Sequence, residues 1–471
     1  MGDLIVAPVE YLVREFILGV ARRGSQTSVR ENQADVSVRI MPMSSPSIGR
    51  NGQLMHLDRQ FGFATRAIHA GTPPDPSTGS RAAPIYQTAA YVFGSTEQAA
   101  ELFQLRSYGH IYSRISNPTV AAFEERMASL EGGLGAIAFS SGMAAQLCAV
   151  LAVAQNGDHL VCSQNVYGGT VTQFTVTLKR MGIDTTFVPA GDLDAVRAAL
   201  APNTKLLFAE TIANPSGELA DVEALAEIAH ASGVPLAIDN TFATPYLCRP
   251  IERGADLVLH SATKFIGGHG AVIGGVLVES GRFPWDNGRF PLLSTPSPAY
   301  HQKTFTETFG EFAFLMRARA EVLRDVGAQM SPMDAWLLLL GLETLAVRMD
   351  RHVTNTEAIV AFLGAREEVA WINQPELGSI FTFGLRGGRE GGRRFIDALE
   401  LWSHLANVGD TKSLVIAPAL TTHSQLSDDE LRKAGVPPES IRLSVGLEDP
   451  PDLIWDLERA LRASVVAESV K

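Results

Sequence analysis

The stretch Ala255–Gly275, ADLVLHSATKFIGGHGAVIGG, decides how the rest of the chain is read. It begins as an apolar run, Leu257-Val258-Leu259, with the bulk and length of a buried strand. It turns polar at once through Ser261, Thr263 and Lys264, then becomes glycine-rich at 267, 268, 270, 274 and 275. A lysine at the mouth of a buried strand, with hydroxyls three positions and one position before it, suits an amine partly desolvated beside a phosphate. The glycines let backbone approach something bulky and planar. Taken alone, Ser-x-x-Lys more often marks a surface lysine on a Gly-rich loop.

The preceding segment shifts that balance. VPLAIDNT, Val234 to Thr241, reads as a second buried strand whose carboxyl end delivers Asp239. In an open α/β sheet the strand carboxyl ends converge on the ligand crevice. An aspartate and a lysine delivered there by successive strands suit pyridoxal phosphate, with the lysine as Schiff-base amine and the carboxylate on the pyridinium nitrogen.

Composition narrows the alternatives. A chain of 471 residues has room for two or three domains, and 46% apolar with 19% charged residues is ordinary for a soluble globular protein. A net charge of −12 argues against a general nucleic-acid binder, since counterion-driven binding needs a basic face. Cys148, Cys162 and Cys248 are too scattered for a disulfide framework or a metal site, which points to a reducing, cytoplasmic setting. No membrane span is expected. The opening MGDLIVAPVEYLVREFILGV is interrupted by Asp3, Glu10, Arg14 and Glu15 and does not read as a signal peptide. His260 and His269 flank the lysine without a third ligand, so no metal site is expected.

Four regions follow along the chain. Residues 1–57 have the polar, aperiodic composition of a disordered extension. Residues 58–118 are Pro-, Gly- and Thr-rich and read as an extended arm, with Tyr112 and Arg114 near its end. Those two are either surface decoration or a phosphate clamp lent to a neighbouring site. Residues 119–320 alternate strands and helices, which implies a mainly parallel sheet flanked by helices. Within them, strand, Ser140-Ser141-Gly142 turn and Ala-rich helix aim backbone N–H groups at a phosphate. Tyr167, beside Gly168 and Gly169, either stacks on a ring or is a turn tyrosine. Glu210 and Asn214 sit at another strand end. Residues 321–471 form a smaller α/β C-terminal domain, with helices over Trp336–Val347 and His352–Leu363 and strand-like SIFTFGL and IRLSVGL. In the last of these Arg442 stands alone among apolar neighbours and needs an anion, either a protein carboxylate or that of a substrate.

Together the segments resemble the Cys/Met-metabolism family of fold-type-I pyridoxal-phosphate enzymes, from about Phe61 to Ala463. YSRISNPT, SSGMAA, YGGT, ETIANP, DNTFATP, SATKFIGGHG, NVGDTKSL and RLSVGLE are similar to family motifs in family order. The insertion around GRFPWDNGRFP, PSPAYH and FTETFGE looks most like that of the O-acetylhomoserine sulfhydrylase branch. The resemblance implies roles for these residues. Lys264 carries the cofactor, and Asp239 pairs with the ring nitrogen. Ser141, Gly142, Met143, Ser261 and Thr263 hold the phosphate. Tyr112 and Arg114 reach the phosphate of an adjacent subunit, which implies a homodimer as minimal active unit and a homotetramer as assembly. Tyr167 stacks on the ring and assists catalysis, Asn214 lies beside the ring hydroxyl, and Asn407 and Arg442 bind the substrate carboxylate.

The implied reaction is γ-replacement, O-acetyl-L-homoserine with sulfide or a small thiol giving L-homocysteine and acetate. Cystathionine γ-synthase-like exchange, γ-elimination by a lyase and a catalytically impaired cofactor-binding scaffold are the alternatives. Two departures from the family pattern stand out. Ala417-Pro418-Ala419-Leu420 replaces a His-Pro-Ala-Ser type segment, and the loop between Pro375 and Gly378 is shorter than in related sulfhydrylases.

Overall fold

The computed structural model describes residues 61–107, 109–214, 216–421, 427–433 and 436–465; the expected extension over 1–57 lies outside them. Seven strands form the main sheet: β1 (Gly135–Phe139), β2 (His159–Ser163), β3 (Asp184–Val188), β4 (Thr204–Glu210), β5 (Leu236–Asp239), β6 (Leu257–Ser261) and β7 (Gly275–Glu279). Their order is β1-β7-β6-β5-β4-β2-β3, with β7 antiparallel to both neighbours and the others parallel. This is the expected mainly parallel sheet.

The strands are apolar runs because both faces are covered, and the period-2 alternation sorts side chains between two cores. Ile137, Leu160, Phe208, Ala237, Leu259 and Leu277 enter one core, which also holds the helix Gly142–Val153. Ala138, Val161, Leu207, Ile238, Val258 and Val276 enter the other, beside the helix Pro118–Glu131. Parity carries through to the strand ends. Glu210, Asp239 and Ser261 continue on the first face, and His260 points to the second.

Local chemistry sets the helix limits. Asn117 caps Pro118–Glu131, accepting from Thr119 N at 3.0 Å, with Pro118 in the first turn and Gly132 left-handed at its end. Ser141 caps Gly142–Val153, its Oγ accepting from Ala144 N at 3.1 Å. The C-terminal helices run over Pro332–Glu343 and Leu345–Gly364, separated only at Thr344. The first begins earlier than its apolar pattern predicts, because Ser331 Oγ accepts from Asp334 N and Pro332 suits the first turn. Its Ala335, Leu338 and Leu342 pack into the second core of the main sheet.

A second sheet contains β8 (Val369–Asn373), β9 (Ile380–Leu385), β10 (Ser403–His404), β11 (Leu414–Ile416) and β12 (Ser440–Ser444), in the order β10-β11-β12-β9-β8. Ile441 and Leu443 of β12 join Leu453, Leu457 and Leu461 of the last helix, Pro450–Ser464, in a third core. Arg442, between them, lies on the opposite face by the same alternation.

Candidate active site

The site is built from the mouths of β4, β5 and β6, the start of the helix Gly142–Val153, Tyr167 after β2, and Asn407 and Arg442 from the side of the smaller sheet. Lys264 follows β6 and is the junction, with its Nζ donating to Asn407 Oδ1 at 2.5 Å. Arg442 Nη2 reaches the Asn407 carbonyl at 3.5 Å, and its Nη1 donates to Asn214 Oδ1 at 3.1 Å. Burial lowers the Lys264 amine to about 8, helped by the nearby Arg442 cation. Burial likewise lowers the Arg442 guanidinium to about 10. Arg442 makes no ion pair with a carboxylate among the described residues, so the protein-carboxylate alternative does not hold. Its acceptors are neutral, and a half-buried cation so served is short of an anion.

Asp239 is gripped from one side only. Its Oδ1 accepts from Thr241 N at 2.9 Å and from Thr241 Oγ1 at 2.5 Å. Thr241 Oγ1 in turn accepts from Ser261 N at 2.8 Å, tying β5 to β6. Oδ2 takes no hydrogen bond from the described residues. Asp239 is the register partner of Glu210 on β4, and neither carboxyl makes an ion pair among the described residues. Burial raises both carboxyls, Glu210 well above the usual range and aided by the adjacent Asp239. Behind them, on the other face, His260 Nε2 and Glu131 Oε1 lie 2.6 Å apart, and Asn240 Nδ2 donates to the same oxygen at 2.9 Å.

The start of the helix Gly142–Val153 sits directly on this ensemble. A Cβ at Gly142 would lie 2.8 Å from Ser261 Cβ, and one at Gly275 would strike the Ser141 carbonyl, so glycine is required for the approach. Gly142 and Met143 are the first helical residues, and their N–H groups have no intrahelical acceptor. Thr263 Oγ1 accepts from Gly274 N at 3.1 Å and donates to Gly274 O at 3.2 Å, which closes the glycine loop beside Lys264. Tyr167 follows β2, and its N–H donates to Glu210 Oε1 at 2.7 Å. Its ring packs on Gly169, where a Cβ would collide with it.

The structure therefore brings Lys264, Asp239, Ser141, Gly142, Met143, Tyr167, Asn214, Ser261, Thr263, Asn407 and Arg442 together. Tyr112 and Arg114 are exposed and apart: Arg114 lies over the Tyr112 ring at 5.5 Å and donates to Arg324 O at 2.9 Å. Thr241 and the role of Glu210 escaped the sequence reading, although Glu210 stands out there as a charge at a strand end. Among the described residues no group of side chains suits a metal ion.

The donor set fits pyridoxal phosphate. A neutralisable half-buried amine, a helix N-terminus with free N–H groups, and a carboxyl pair without an ion pair among the described residues match an aldehyde, a phosphate and a pyridinium nitrogen respectively.

Known proteins agree. Residues 64–462 match the model of the Cys/Met metabolism PLP-dependent enzymes. The chain is 50% identical over 418 residues to O-acetyl-L-homoserine sulfhydrylase 1 of Thermus thermophilus, covering 85% of this chain and 99% of that protein. It is 47% identical over 422 residues to homocysteine synthase of Schizosaccharomyces pombe, covering 85% and 98%. A crystal structure from Campylobacter jejuni, described as an O-acetylhomoserine (thiol)-lyase with a pyridoxyl-lysine monophosphate, has a TM-score of 0.83 and 39% identity. That match covers 85% of this chain and all of the other. The chain belongs to the Cys/Met metabolism family of enzymes that depend on pyridoxal phosphate.

Proposed function

We propose that the protein catalyses γ-replacement, in which O-acetyl-L-homoserine and sulfide give L-homocysteine and acetate. The observation that carries this reading is Arg442, a half-buried cation with no carboxylate partner among the described residues, joined through Asn407 to the Lys264 amine. An α-amino acid offers the carboxylate that Arg442 lacks, and holding it there brings its α-carbon towards Lys264. The choice of leaving group and nucleophile is supported by the relatives over nearly the same span, which are named O-acetylhomoserine sulfhydrylases and homocysteine synthases.

When bound, pyridoxal phosphate supplies an electron sink for charge that develops at the α-carbon. Asp239, with Oδ2 free and Oδ1 fixed by Thr241, would hold the ring nitrogen. Ser141, Gly142, Met143, Ser261 and Thr263 would hold the phosphate, and Tyr167 would cover the ring. Lys264, its amine lowered to about 8, takes a proton at the substrate α-carbon and returns it. Overall the Cγ–O bond breaks, acetate leaves, and a Cγ–S bond forms as sulfide gives up a proton. Water must stay out until sulfide adds.

In the same reading Tyr112 and Arg114 serve the phosphate site of a second copy, so the active unit is a homodimer, within a homotetramer, in the cytoplasm. Residues 58–118 are its arm, 119–320 its cofactor domain and 321–471 its C-terminal domain, with the helix Leu345–Gly364 bridging the main-sheet core (Leu345, Met349) and the third core (Ile359, Leu363). Incubation with O-acetylhomoserine, with and without sulfide, tests the reaction. Homocysteine formed only with sulfide is expected. A keto acid and ammonia without sulfide indicate a lyase, and no product from cofactor-loaded protein indicates a scaffold.

A further inference from the structure

Glu210 has no role in the reaction as drawn, yet it touches two residues that do. Its Oε1 accepts the Tyr167 N–H at 2.7 Å, and its Oε2 accepts the Asn214 N–H at 3.2 Å. Tyr167 follows β2 and Asn214 follows β4, strands that are neighbours in the sheet. The contacts continue from Asn214 Oδ1 to Arg442, from Arg442 to the Asn407 carbonyl, and from Asn407 Oδ1 to Lys264. Glu210 thus anchors one end of an unbroken string of hydrogen bonds from Tyr167 to the reactive amine. The two N–H groups meet two different oxygens, so in a glutamine held in the same place one of them would face an NH2 group, donor against donor. Placing a carboxyl beside Asp239 in a buried site is costly, so its geometry has to be worth that cost.

We propose that Glu210 is a positioning residue that sets, through the Tyr167 and Asn214 backbones, how Arg442 receives the carboxylate of the amino-acid substrate. The inference rests on the γ-replacement reading for the identity of that substrate.

The test compares wild type with Glu210→Gln, Glu210→Asp and Glu210→Ala, with rates expressed per cofactor-loaded site so that lost stability or lost cofactor does not count. For Glu210→Gln, kcat/KM for O-acetyl-L-homoserine should fall at least about tenfold, on the scale of one buried N–H left unpaired. The change should lie mainly in KM, with KM for sulfide within about twofold of wild type, since sulfide carries no carboxylate for Arg442. Glu210→Asp keeps two acceptor oxygens and should recover part of the loss. If Glu210→Gln does not fold, Glu210→Ala is read in the same way. A double-mutant cycle with Asn214→Ala should be non-additive, because both changes act on one string of contacts. Unchanged per-site kinetics, or losses that simply multiply, would overturn the proposal. A wild type that makes no homocysteine counts against the reaction and not against this inference. The same ordering is then read from the change in cofactor absorbance on adding O-acetyl-L-homoserine.

Discussion

Lys264 and Asn407 meet across the two sheets: the amine that follows β6 donates to an amide ahead of β11 at 2.5 Å. The contact joins residues 143 positions apart and fixes the amine in line with Arg442, whose Nη2 reaches the same residue's carbonyl. One asparagine therefore holds both the Lys264 amine and the Arg442 guanidinium.

Replacing Asn407 by Asp puts a carboxylate where the amide oxygen now lies. Lys264 is held at about 8 by burial and by Arg442, and an anion at that distance must raise it. The free amine is the form that accepts a proton, so kcat should climb with pH through about 8 in wild type. In Asn407→Asp that limb should move up by about one unit or more, with roughly tenfold less activity near pH 7. A kcat–pH profile for both proteins decides it, and a limb that stays in place would separate the amine from proton transfer.

Tyr112 and Arg114 are exposed in the single chain, and Arg114 spends its hydrogen bond on a backbone carbonyl. If they complete a partner's site, Lys264→Ala and Arg114→Ala are each nearly inactive but rescue one another. Co-expressed with different tags, random pairing should restore up to about a quarter of wild-type activity, since half the dimers carry one intact site of two. Mixed dimers isolated by both tags yet inactive would place Arg114 outside the site.

His352 makes acid stability measurable. It is fully buried, with Nδ1 bonded to the Val445 carbonyl at 2.7 Å and its ring edge-on to Phe265 at 5.3 Å. Burial lowers it to about 4, and Arg348 acts in the same direction while Asp410 opposes. The unfolded chain therefore takes up the proton first, near pH 6.5. The stabilising contribution is complete above that pH and is lost as pH falls towards 4, about 2 kcal/mol by pH 5. Thermal unfolding of His352→Gln from pH 7 to pH 5 should show a shallower decline than wild type.

Much of this was legible because buried parallel strands advertise themselves as apolar runs. LVLH and LAI predicted β6 and β5, and the polar residues just after them, Lys264 and Asp239, stood where strand ends meet a ligand. Helix limits were less clear. The helix after β2 begins at Gly168 and holds a π-turn over Gln173–Thr177, which no periodicity announces. The start at Pro332 was readable from Ser331-Pro332, but the apolar pattern from Trp336 hid it. The partners of Arg442 and Glu210 were not legible at all. Whether Arg442 meets a carboxylate depends on how the smaller sheet docks, 228 positions from Asn214, and Glu210 lies beside Asp239 only through the register of β4 on β5.

We propose Lys264 as the amine that carries pyridoxal phosphate. Borohydride reduction of the purified protein fixes the cofactor to whichever lysine holds it, and peptide mass mapping then locates the adduct. One pyridoxyl phosphate per chain is expected, on the peptide containing Ser261-Ala262-Thr263-Lys264, and none in Lys264→Ala. An adduct on another lysine, or undiminished labelling of Lys264→Ala, would contradict it.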